Sequence, residues 1–586
     1  MTVVLIEMRS LWLLFWTVFP TILSAQLFDN TWLMGYQGFI PPQLGDNYGI
    51  AVLKFSNGTA EVEENAVSIM NFQDNNSAFS DSSGNLIAYF NGLQIENADF
   101  QLLDFGHDMD MEISIYQYWS DVDPPQGSMF LPWPEHPDSV LLIYSGDFFI
   151  PGSGTANRNL SYAVIDRKAN GGLGKVVARE QPIIEDTIAY GQVTACKHAN
   201  GRDWWIVTPE HDANRFYRIL IDPDGIHVVG QQTVADTIFQ GLGQSCFSPD
   251  GQYFASYNAI SSSVGAWLDI FDFDRCIGTL SIQRHIYYAP GTGRIGGVAF
   301  SPNSRYLYHN FYDTVYPYDI QSAFLLASRK IVAIRDNYPF PKRFYLSQLA
   351  PDGKIYTSAT NGMKALHVIH RPDEEGLACQ YQQRGFALPV INAQSVPNFP
   401  NYRLGPLDGS SCDTLGLDNL LVAWWRYEQD TLNPNLFEFR DLSYYEPEQW
   451  IWDFGDGLGS SDRNPVHEYA QNGSYQVCLT VSNINGSNTF CRTIQLTTPA
   501  AQPPQNKLIY VRPTLITAQL LVSCENCPDN SIFRLYDMTG RLLQENKLPP
   551  GLNTIDTSAL NPGFYFWEVV AGDKRFEQGK VFKSIK

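Results

Sequence analysis

Between Asp29 and Leu404 the hydrophobic and polar positions recur in a repeated unit. In each copy an apolar strand end leads into a short polar turn and then a strand of large β-formers, and four of five turns carry a glycine able to adopt positive φ. The copies are FSDSSGNLIAYF, CKHANGRDWWIV, CFSPDGQYFASY, AFSPNSRYLYHN and QLAPDGKIYTSA. The later copies lie about 50 residues apart, and several are followed by a strand that ends in aspartate. A period of about 40 to 50 residues with about four strands predicts a β-propeller.

We expect this propeller to span residues 29–405 with seven blades, or eight, and one closing blade shared between its two ends. An array of β-sandwiches is the alternative, but such modules need linkers between copies, and the sequence has none. Cys196 and Cys246 each precede a repeat glycine by five residues, which predicts equivalent buried positions without a mutual bond. Through TACKHANGRDWWIVTPE, GGLGKVV and VPNFPNYRLGPLDG the repeat resembles the WD40-like propellers of large Bacteroidetes surface proteins, a resemblance that implies no reaction.

A second module is predicted over residues 410–498, where large aromatics enter a strand that ends in a tight glycine turn. The stretch QWIWDFGDGLGSSDRNPVHEYAQNGSYQVCLTVSN resembles a PKD domain, which implies an immunoglobulin-like sandwich. The residues of the motif are Trp452, Asp453, Phe454, Gly455, Asp456 and Gly457.

The PKD-like stretch also contains a candidate disulfide. A hairpin loop centred on Ile484 and Asn485 would place Cys478 directly opposite Cys491, which is close enough for a cross-strand bond in a non-hydrogen-bonded pair. The Cys524-x-x-Cys527 pair lies beside a turn and lacks a second pair of zinc ligands, so a turn disulfide or no function is the simpler interpretation.

A proline-rich linker, residues 499–507, precedes a small β-sandwich predicted over residues 508–586. This last segment resembles a type A C-terminal sorting domain of the Bacteroidetes type IX secretion system. The matching residues are Tyr536, Asp537, Gly540, Asp556, Gly563 and Tyr565. The resemblance implies that the type IX secretion machinery is a partner and that the protein reaches the outer-membrane surface or the extracellular space. The usual Tyr-Pro-Asn-Pro opening is replaced here by Tyr510-Val511-Arg512-Pro513.

The amino terminus is consistent with export. Arg9 precedes an apolar run from Leu11 to Phe19, and Leu23-Ser24-Ala25 supplies small residues before a cleavage site, so residues 1–25 are expected to be a signal peptide. Apart from this run, no apolar stretch approaches the ~20 residues of a membrane-spanning helix. We therefore expect no transmembrane segment after signal cleavage.

Charge and composition narrow the choice of partner and fold. With 39 basic and 61 acidic residues the chain has a net charge of −22, which gives no electrostatic basis for binding nucleic acid. Aromatic residues make up 13% of the chain, and with many glycines and prolines they favour an all-β protein rich in turns.

Candidate chemistry is sparse. The segment from His107 to Glu112 could bind a divalent cation, but a solvated charge cluster is the simpler interpretation. On a strand, His367 and His370 would point to opposite faces and make a poor metal pair. Asp453 and Asp456 could hold Ca²⁺, although aspartates at such turns more often cap their own backbone. We assign no catalytic residue, no metal ligand and no cofactor, with Ca²⁺ as the one alternative.

Two aromatic pairs, Trp204-Trp205 and Tyr444-Tyr445, would suit a binding surface if exposed, although buried strand positions are expected for the tryptophans. Since no nucleophile elbow, zinc-binding helix or phosphate loop is present, the sequence indicates a non-catalytic surface binding or adhesion protein with an unidentified glycan or protein ligand. The alternative is a secreted hydrolase or lyase with its active site at the mouth of the propeller channel.

Overall fold

The structure is a computed structural model of the 586-residue chain. It describes residues 27–36, 49–55, 58–65, 70–107, 109, 124–146, 148–150, 154–238, 241–261, 265–289, 295–336, 342–430, 433–496, 509–512, 515–516, 519–524, 528, 530–537, 540–561, 563–572 and 574–583. The predicted signal peptide and proline-rich linker, and most of the segment from His107 to Glu112, lie outside these ranges. No helix within them is long and apolar enough to cross a membrane.

The repeat region forms a succession of antiparallel sheets. The first two sheets have three strands each, which are β1 (Thr31–Tyr36), β2 (Gly49–Lys54), β3 (Glu61–Asn65), β4 (Ser77–Ser80), β5 (Leu86–Phe90) and β6 (Ile95–Asn97). The third sheet has four strands with a small hairpin inserted, and these are β7 (Ser128–Pro132), β8 (Ser139–Ser145), the hairpin β9 (Phe148–Ile150) and β10 (Gly154–Ala156), β11 (Leu160–Asp166) and β12 (Lys175–Ile184).

Four further sheets of four strands follow in chain order. The fourth comprises β13 (Ala195–Lys197), β14 (Trp204–Pro209), β15 (Ala213–Asp222) and β16 (Gly225–Ile238), and the fifth β17 (Leu242–Phe247), β18 (Tyr253–Ser261), β19 (Gly265–Asp274) and β20 (Thr279–Tyr288). The sixth comprises β21 (Gly296–Phe300), β22 (Tyr306–Phe311), β23 (Thr314–Asp319) and β24 (Ala333–Ile334), with helix α1 (Leu325–Ser328) before its last strand. The seventh comprises β25 (Phe344–Leu349), β26 (Ile355–Ala359), β27 (Met363–Ile369) and β28 (Tyr381–Asn392).

The sheets follow one another in a ring. Leading strands of successive sheets pack together, β1 on β4, β4 on β7, β17 on β21 and β21 on β25, and β28 of the last sheet packs on all three strands of the first. One expectation differs from this picture. Among the described residues the two ends of the repeat do not share a closing sheet, because the first and seventh sheets each come from their own continuous segment. The number of blades stays a prediction, since several connections lie outside the described ranges.

The repeated turns show why the sequence pattern specifies hairpins. Gly251 has φ +71° in the turn between β17 and β18, a conformation that costs a residue with a Cβ more than it costs glycine. Asp250 caps this turn by accepting a hydrogen bond from the Gln252 backbone N–H at 3.0 Å, and the Ser248 hydroxyl accepts one from Tyr253 N–H at 2.9 Å. The same roles recur in the next turn, where Asn303 replaces the aspartate.

The tryptophan pair belongs to the core of the propeller. Trp204 is 1% exposed and packs edge-on against Tyr402 with ring centroids 5.9 Å apart, while Trp205 is 3% exposed and its indole N–H donates to the Arg275 carbonyl at 2.8 Å. These rings are therefore structural and unavailable to a ligand.

The PKD-like region forms two sheets packed face to face. One contains β29 (Trp425–Gln429), β30 (Leu436–Asp441) and β33 (Val466–Glu468), and the other β31 (Gln449–Asp453), β32 (Gly459–Ser460), β34 (Gly473–Asn483) and β35 (Gly486–Leu496). Between the sheets Trp425 packs edge-on against Trp452 at 5.6 Å, and Phe439 packs against Phe454 at 5.2 Å. Cys478 and Cys491, the pair that the hairpin spacing singled out, are disulfide-bonded on neighbouring strands with their Cα atoms 4.0 Å apart.

The chain divides into two compact units, residues 1–494 and 495–586. The second unit has a three-stranded sheet of β36 (Ile509–Arg512), β38 (Gln519–Cys524) and β41 (Gly551–Asp556), and a five-stranded sheet of β37 (Leu515–Ile516), β39 (Ile532–Tyr536), β40 (Leu542–Lys547), β42 (Gly563–Ala571) and β43 (Lys574–Lys583).

The predicted motif residues of this second unit lie at its strand ends and turns. Asp537 accepts a hydrogen bond from Gly540 N–H at 3.0 Å through its carbonyl, Asp556 caps the turn after β41, and the Tyr565 hydroxyl donates to the Asn561 carbonyl at 2.7 Å. Tyr536 ends β39 and Gly563 begins β42. Cys524 is disulfide-bonded.

Candidate functional site

The centre of the ring is filled by the chain itself. After β28, residues 393–405 run between the leading strands of the sheets, and we call this segment the plug. Asn398 is 3% exposed, and its side-chain amide donates to the carbonyls of Ser128 at 2.9 Å and Val193 at 2.7 Å. Its Oδ1 accepts from Gln126 Nε2 at 3.1 Å, and its backbone N–H donates to Asn76 O. One residue thus joins the starts of the second, third and fourth sheets.

Glutamine side chains on the channel wall complete this network. The Gln126 amide pairs with both backbone groups of Ser245, accepting at 2.9 Å and donating at 3.1 Å. The Gln244 amide does the same with Ser347, at 2.9 Å and 2.6 Å. Buried strand edges need such partners because an unpaired backbone N–H or C=O is costly away from water. The channel is therefore a hydrogen-bonded core of the protein.

The end of the plug is anchored to the first and third sheets. Arg403 forms a two-pronged, buried ion pair with Asp29, both side chains being 8% exposed. The Tyr402 hydroxyl donates to the Phe130 carbonyl at 2.7 Å. Since the two ends of the ring share no sheet among the described residues, these contacts tie the amino-terminal residues of the propeller to its last segment.

The PKD-like sandwich is docked on the propeller near the end of the plug. Lys354 of the seventh sheet pairs with Glu428 at 2.7 Å, and Arg426 donates to the His370 carbonyl at 3.1 Å. Burial alone would raise the pKa of Glu428, but Arg426 and Lys354 outweigh it and lower the pKa to about 2. Arg371 also pairs with Glu438. The sandwich is therefore held against the propeller by charged contacts.

A disulfide secures the same junction. Cys276, in the turn between β19 and β20, is bonded to Cys412, which follows the plug and precedes the sandwich. The bonded residues are 136 positions apart and their Cα atoms lie 5.6 Å from each other. No repeat relates the two cysteines, so their spacing in the sequence does not indicate this bond.

A cavity of about 690 Å³ lies between the propeller turns, the end of the plug and the sandwich. Its wall includes proline-containing turns of the fifth, sixth and seventh sheets and the aromatic pair Tyr444 and Tyr445. The Tyr444 ring lies 5.3 Å from the Arg403 guanidinium, and burial raises the pKa of both tyrosine hydroxyls. This volume is typical of ligand-binding clefts, which often form at domain interfaces.

Other residues considered from sequence lie elsewhere. Asp453 caps its own turn by accepting from Gly455 N–H at 2.9 Å, and Asp456 accepts from Leu458 N–H at 3.1 Å and pairs with His467 at 2.8 Å. Both aspartates thus have protein partners at the turn. Within the described residues no group of three or more His, Cys, Asp or Glu side chains is arranged to hold a metal ion.

The two histidines of β27 and its following turn have different hydrogen-bond partners. Burial lowers the pKa of His367 to about 3, and its Nδ1 accepts a hydrogen bond from Arg384 N–H. His370 pairs with Gln382 at 2.9 Å, and burial lowers its pKa as well. Cys196, Cys246 and Cys379 are free thiols.

Two protein-family profiles match the chain. The PKD domain profile matches residues 434–498, and the profile of the secretion system C-terminal sorting domain matches residues 513–583. The chain carries a PKD domain and a type IX C-terminal sorting domain. It is therefore exported to the cell surface or the extracellular space, and the type IX secretion machinery is its partner in that step.

Similarity to curated proteins is local. A stretch of 55 residues is 44% identical to the pre-pro-metalloprotease PrtV of Vibrio cholerae, and this match covers 9% of the chain and only 6% of the protease. The PKD1 domain of Epp from Vibrio anguillarum is 34% identical, and the match covers 14% of this chain and 95% of that domain, with a TM-score of 0.13.

One solved structure extends over most of the chain. PorZ, a surface component of the type IX secretion system of Porphyromonas gingivalis, is 13% identical over 92% of this chain and 63% of its own, with a TM-score of 0.29. At this level of similarity nothing about activity is transferred.

Proposed function

We propose that this exported protein is a non-catalytic binding or adhesion protein of the cell surface, with a glycan or a protein as its ligand. The proposed organisation is a propeller over residues 29–405, a PKD domain over 410–498, a linker over 499–507 and a sorting domain over 508–586. The proposal is carried by one observation, the plug in the propeller channel.

The plug argues against the alternative of a hydrolase or lyase at the channel mouth. An active site there needs free polar groups that converge on substrate. The amide groups of Asn398 and Gln126 are instead hydrogen-bonded to each other and to backbone groups of the surrounding sheets. Displacing the plug would leave those carbonyls without partners, at a cost of about 1–3 kcal/mol each.

Two assays on the purified mature protein test this proposal. A glycan array and a pull-down from cell-surface extract should detect binding, while incubation with the bound glycans or proteins should leave them uncleaved. Turnover of a bound glycan or protein would overturn the non-catalytic assignment.

The role of the sorting domain is tested by truncation. A chain ending before Lys507 should cross the inner membrane through its signal peptide and accumulate in the periplasm, whereas the full chain should reach the surface. Equal surface amounts of the two forms would show that the last unit is not needed for export.

A further inference from the structure

The cavity between the propeller and the PKD domain has an uneven distribution of free charge. Its basic side chains already have partners, since Arg403 pairs with Asp29, Arg371 and Arg440 with Glu438, Arg463 with Asp441 and Arg426 with Glu428. The guanidinium of Arg275 is bonded to the carbonyls of Lys197, His198 and Gly405. The cations of this wall are therefore committed to the protein.

Within the part of the chain that the structure describes, only two carboxylates of the same wall, Asp29 and Asp441, are ion-paired. Five others have no ion-pair partner within 4.0 Å among the described residues, and these are Asp250, Asp373, Glu374, Asp408 and Glu446. Asp373 uses one oxygen to accept from Asn303 N–H at 2.9 Å, and burial raises its pKa despite the nearby Arg463 and Arg440. The nearby guanidinium groups therefore do not offset the cost of desolvating this carboxylate.

Tyrosine hydroxyls and proline rings complete the chemistry of the wall. Neither the Tyr444 nor the Tyr445 hydroxyl has a hydrogen-bond partner among the described residues, and Pro249, Pro302 and Pro351 line the same cavity. Apolar rings suit the methylene stem of a long basic side chain. The cavity thus offers hydrogen-bond acceptors and apolar surface to one occupant.

We propose that this cavity binds a peptide segment through a lysine or arginine side chain. The cation would lie near Asp373 and Asp250, which form no ion pair among the described residues, and the stem would lie on the proline rings. This inference rests on the proposed binding function and commits it to a protein ligand.

Calorimetry on the full mature protein tests the assignment with three probes, namely tri-lysine, tri-glutamate and a tri-lysine acetylated on its side chains. Tri-lysine should bind, and the other two should not, because the acetylated peptide retains the stem without the charge. Binding should weaken at high salt, since partly exposed charges are screened over about 8 Å at 0.15 M ionic strength.

Isosteric variants separate the cavity from the general negative charge of the chain. Asp373→Asn and Asp250→Asn each keep the oxygen that caps the backbone, and each should weaken tri-lysine binding about tenfold, as expected for about 1.4 kcal/mol of lost interaction. Asp224→Asn, in the exposed turn between β15 and β16, removes the same charge and should leave the affinity unchanged.

The outcomes distinguish this inference from the broader function. Failure of tri-lysine to bind, equal binding of the acetylated peptide, or equal weakening by Asp224→Asn would overturn the cavity assignment. A positive glycan array beside a negative tri-lysine titration would overturn the cavity assignment and leave the binding function standing. Turnover of a ligand together with selective binding of tri-lysine would overturn the non-catalytic function and support the cavity assignment.

Discussion

The interdomain cavity extends to the propeller channel, where Asn398, Gln126 and Gln244 line it, and polar groups are paired differently at this inner end and at the outer wall. In the channel, the amides of Asn398, Gln126 and Gln244 have both their donor and acceptor atoms bonded to protein. At the outer wall, five carboxylates have no ion-pair partner and the hydroxyls of Tyr444 and Tyr445 have no hydrogen-bond partner among the described residues. A polar group whose partners all come from its own chain holds the fold together, whereas one left without a partner beside an open volume is available to a ligand.

The largest expected effect on stability comes from replacing a channel amide by a carboxylate. Asn398→Asp removes the donors to the Ser128 and Val193 carbonyls and buries a carboxylate, so the free energy of unfolding should fall by about 5 kcal/mol. Urea denaturation of the mature protein measures it. Gln94→Glu makes the same exchange at an exposed propeller position and should change stability by less than about 0.5 kcal/mol. A small effect at Asn398 would mean that the plug is dispensable.

The Cys276–Cys412 disulfide should have the next largest effect, because it joins the fifth sheet to the segment that precedes the PKD domain. In the chain-entropy description a loop of this length contributes about 5 kcal/mol and a loop of about 15 residues about 3 kcal/mol. Replacing both Cys276 and Cys412 by serine should therefore lower stability more than replacing Cys478 and Cys491. Peptide mapping without reduction should first find both pairs linked. The opposite ranking in denaturation would contradict a role for the long loop in holding the ring.

A buried histidine whose ring nitrogen lacks a hydrogen-bond partner should make the folded protein sensitive to acid. The His309 Nε2 is buried without a hydrogen-bond partner among the described residues, and burial lowers the pKa of His309 to about 3. Because the folded pKa lies below the unfolded value, stability is present above about pH 6.5 and is lost as the pH falls toward 3, by about 2 kcal/mol between pH 6.5 and 4.5.

Denaturation at the two pH values checks the role of this histidine. His309→Phe should flatten the pH dependence by the amount stated, while His136→Phe, at an exposed position, should not. An unchanged slope in the His309 variant would assign the acid sensitivity to other groups.

The smallest effect is expected in the cavity and has the opposite sign. Asp373→Asn removes a carboxylate whose pKa is raised by burial, so at pH 7 stability should stay the same or rise by up to about 1 kcal/mol. Glu438→Gln removes the carboxylate that pairs with Arg371 and Arg440, so it should lower stability instead. If Asp373→Asn destabilised the protein as strongly as Asn398→Asp does, the two regions would not differ in kind.

Local features were predictable from sequence, and features that join distant residues were not. The turn glycines and the Cys478–Cys491 pair follow from spacings within one hairpin, and the PKD and sorting motifs are short and contiguous. The contacts of Asn398, by contrast, join residues 205 to 272 positions apart, and no periodicity relates them. The expectation of a shared closing sheet differs from the described topology for the same reason, since hydrophobic patterns predict strands and leave ring closure open.

The binding residues were predictable only in part. Tyr444 and Tyr445 were recognisable as a pair suited to recognition, but their position at the cavity depends on how the sandwich docks. Whether an arginine of the cavity wall forms an ion pair depends on carboxylates that are distant in the sequence. The composition of the chain does not reveal these pairs. Acidic residues that look alike in sequence therefore divide into paired and unpaired groups only in the folded chain.

The long disulfide loop also determines what a protease can release. Residues 277–411 include β20, the whole sixth and seventh sheets and the plug, and they are enclosed by the Cys276–Cys412 bond. A single tryptic cut beside Lys342 or Arg343 would fall inside that loop and leave both fragments covalently joined. On a cell surface exposed to foreign proteases, a nicked molecule would keep all its modules attached, and its two pieces would separate on a gel only after reduction.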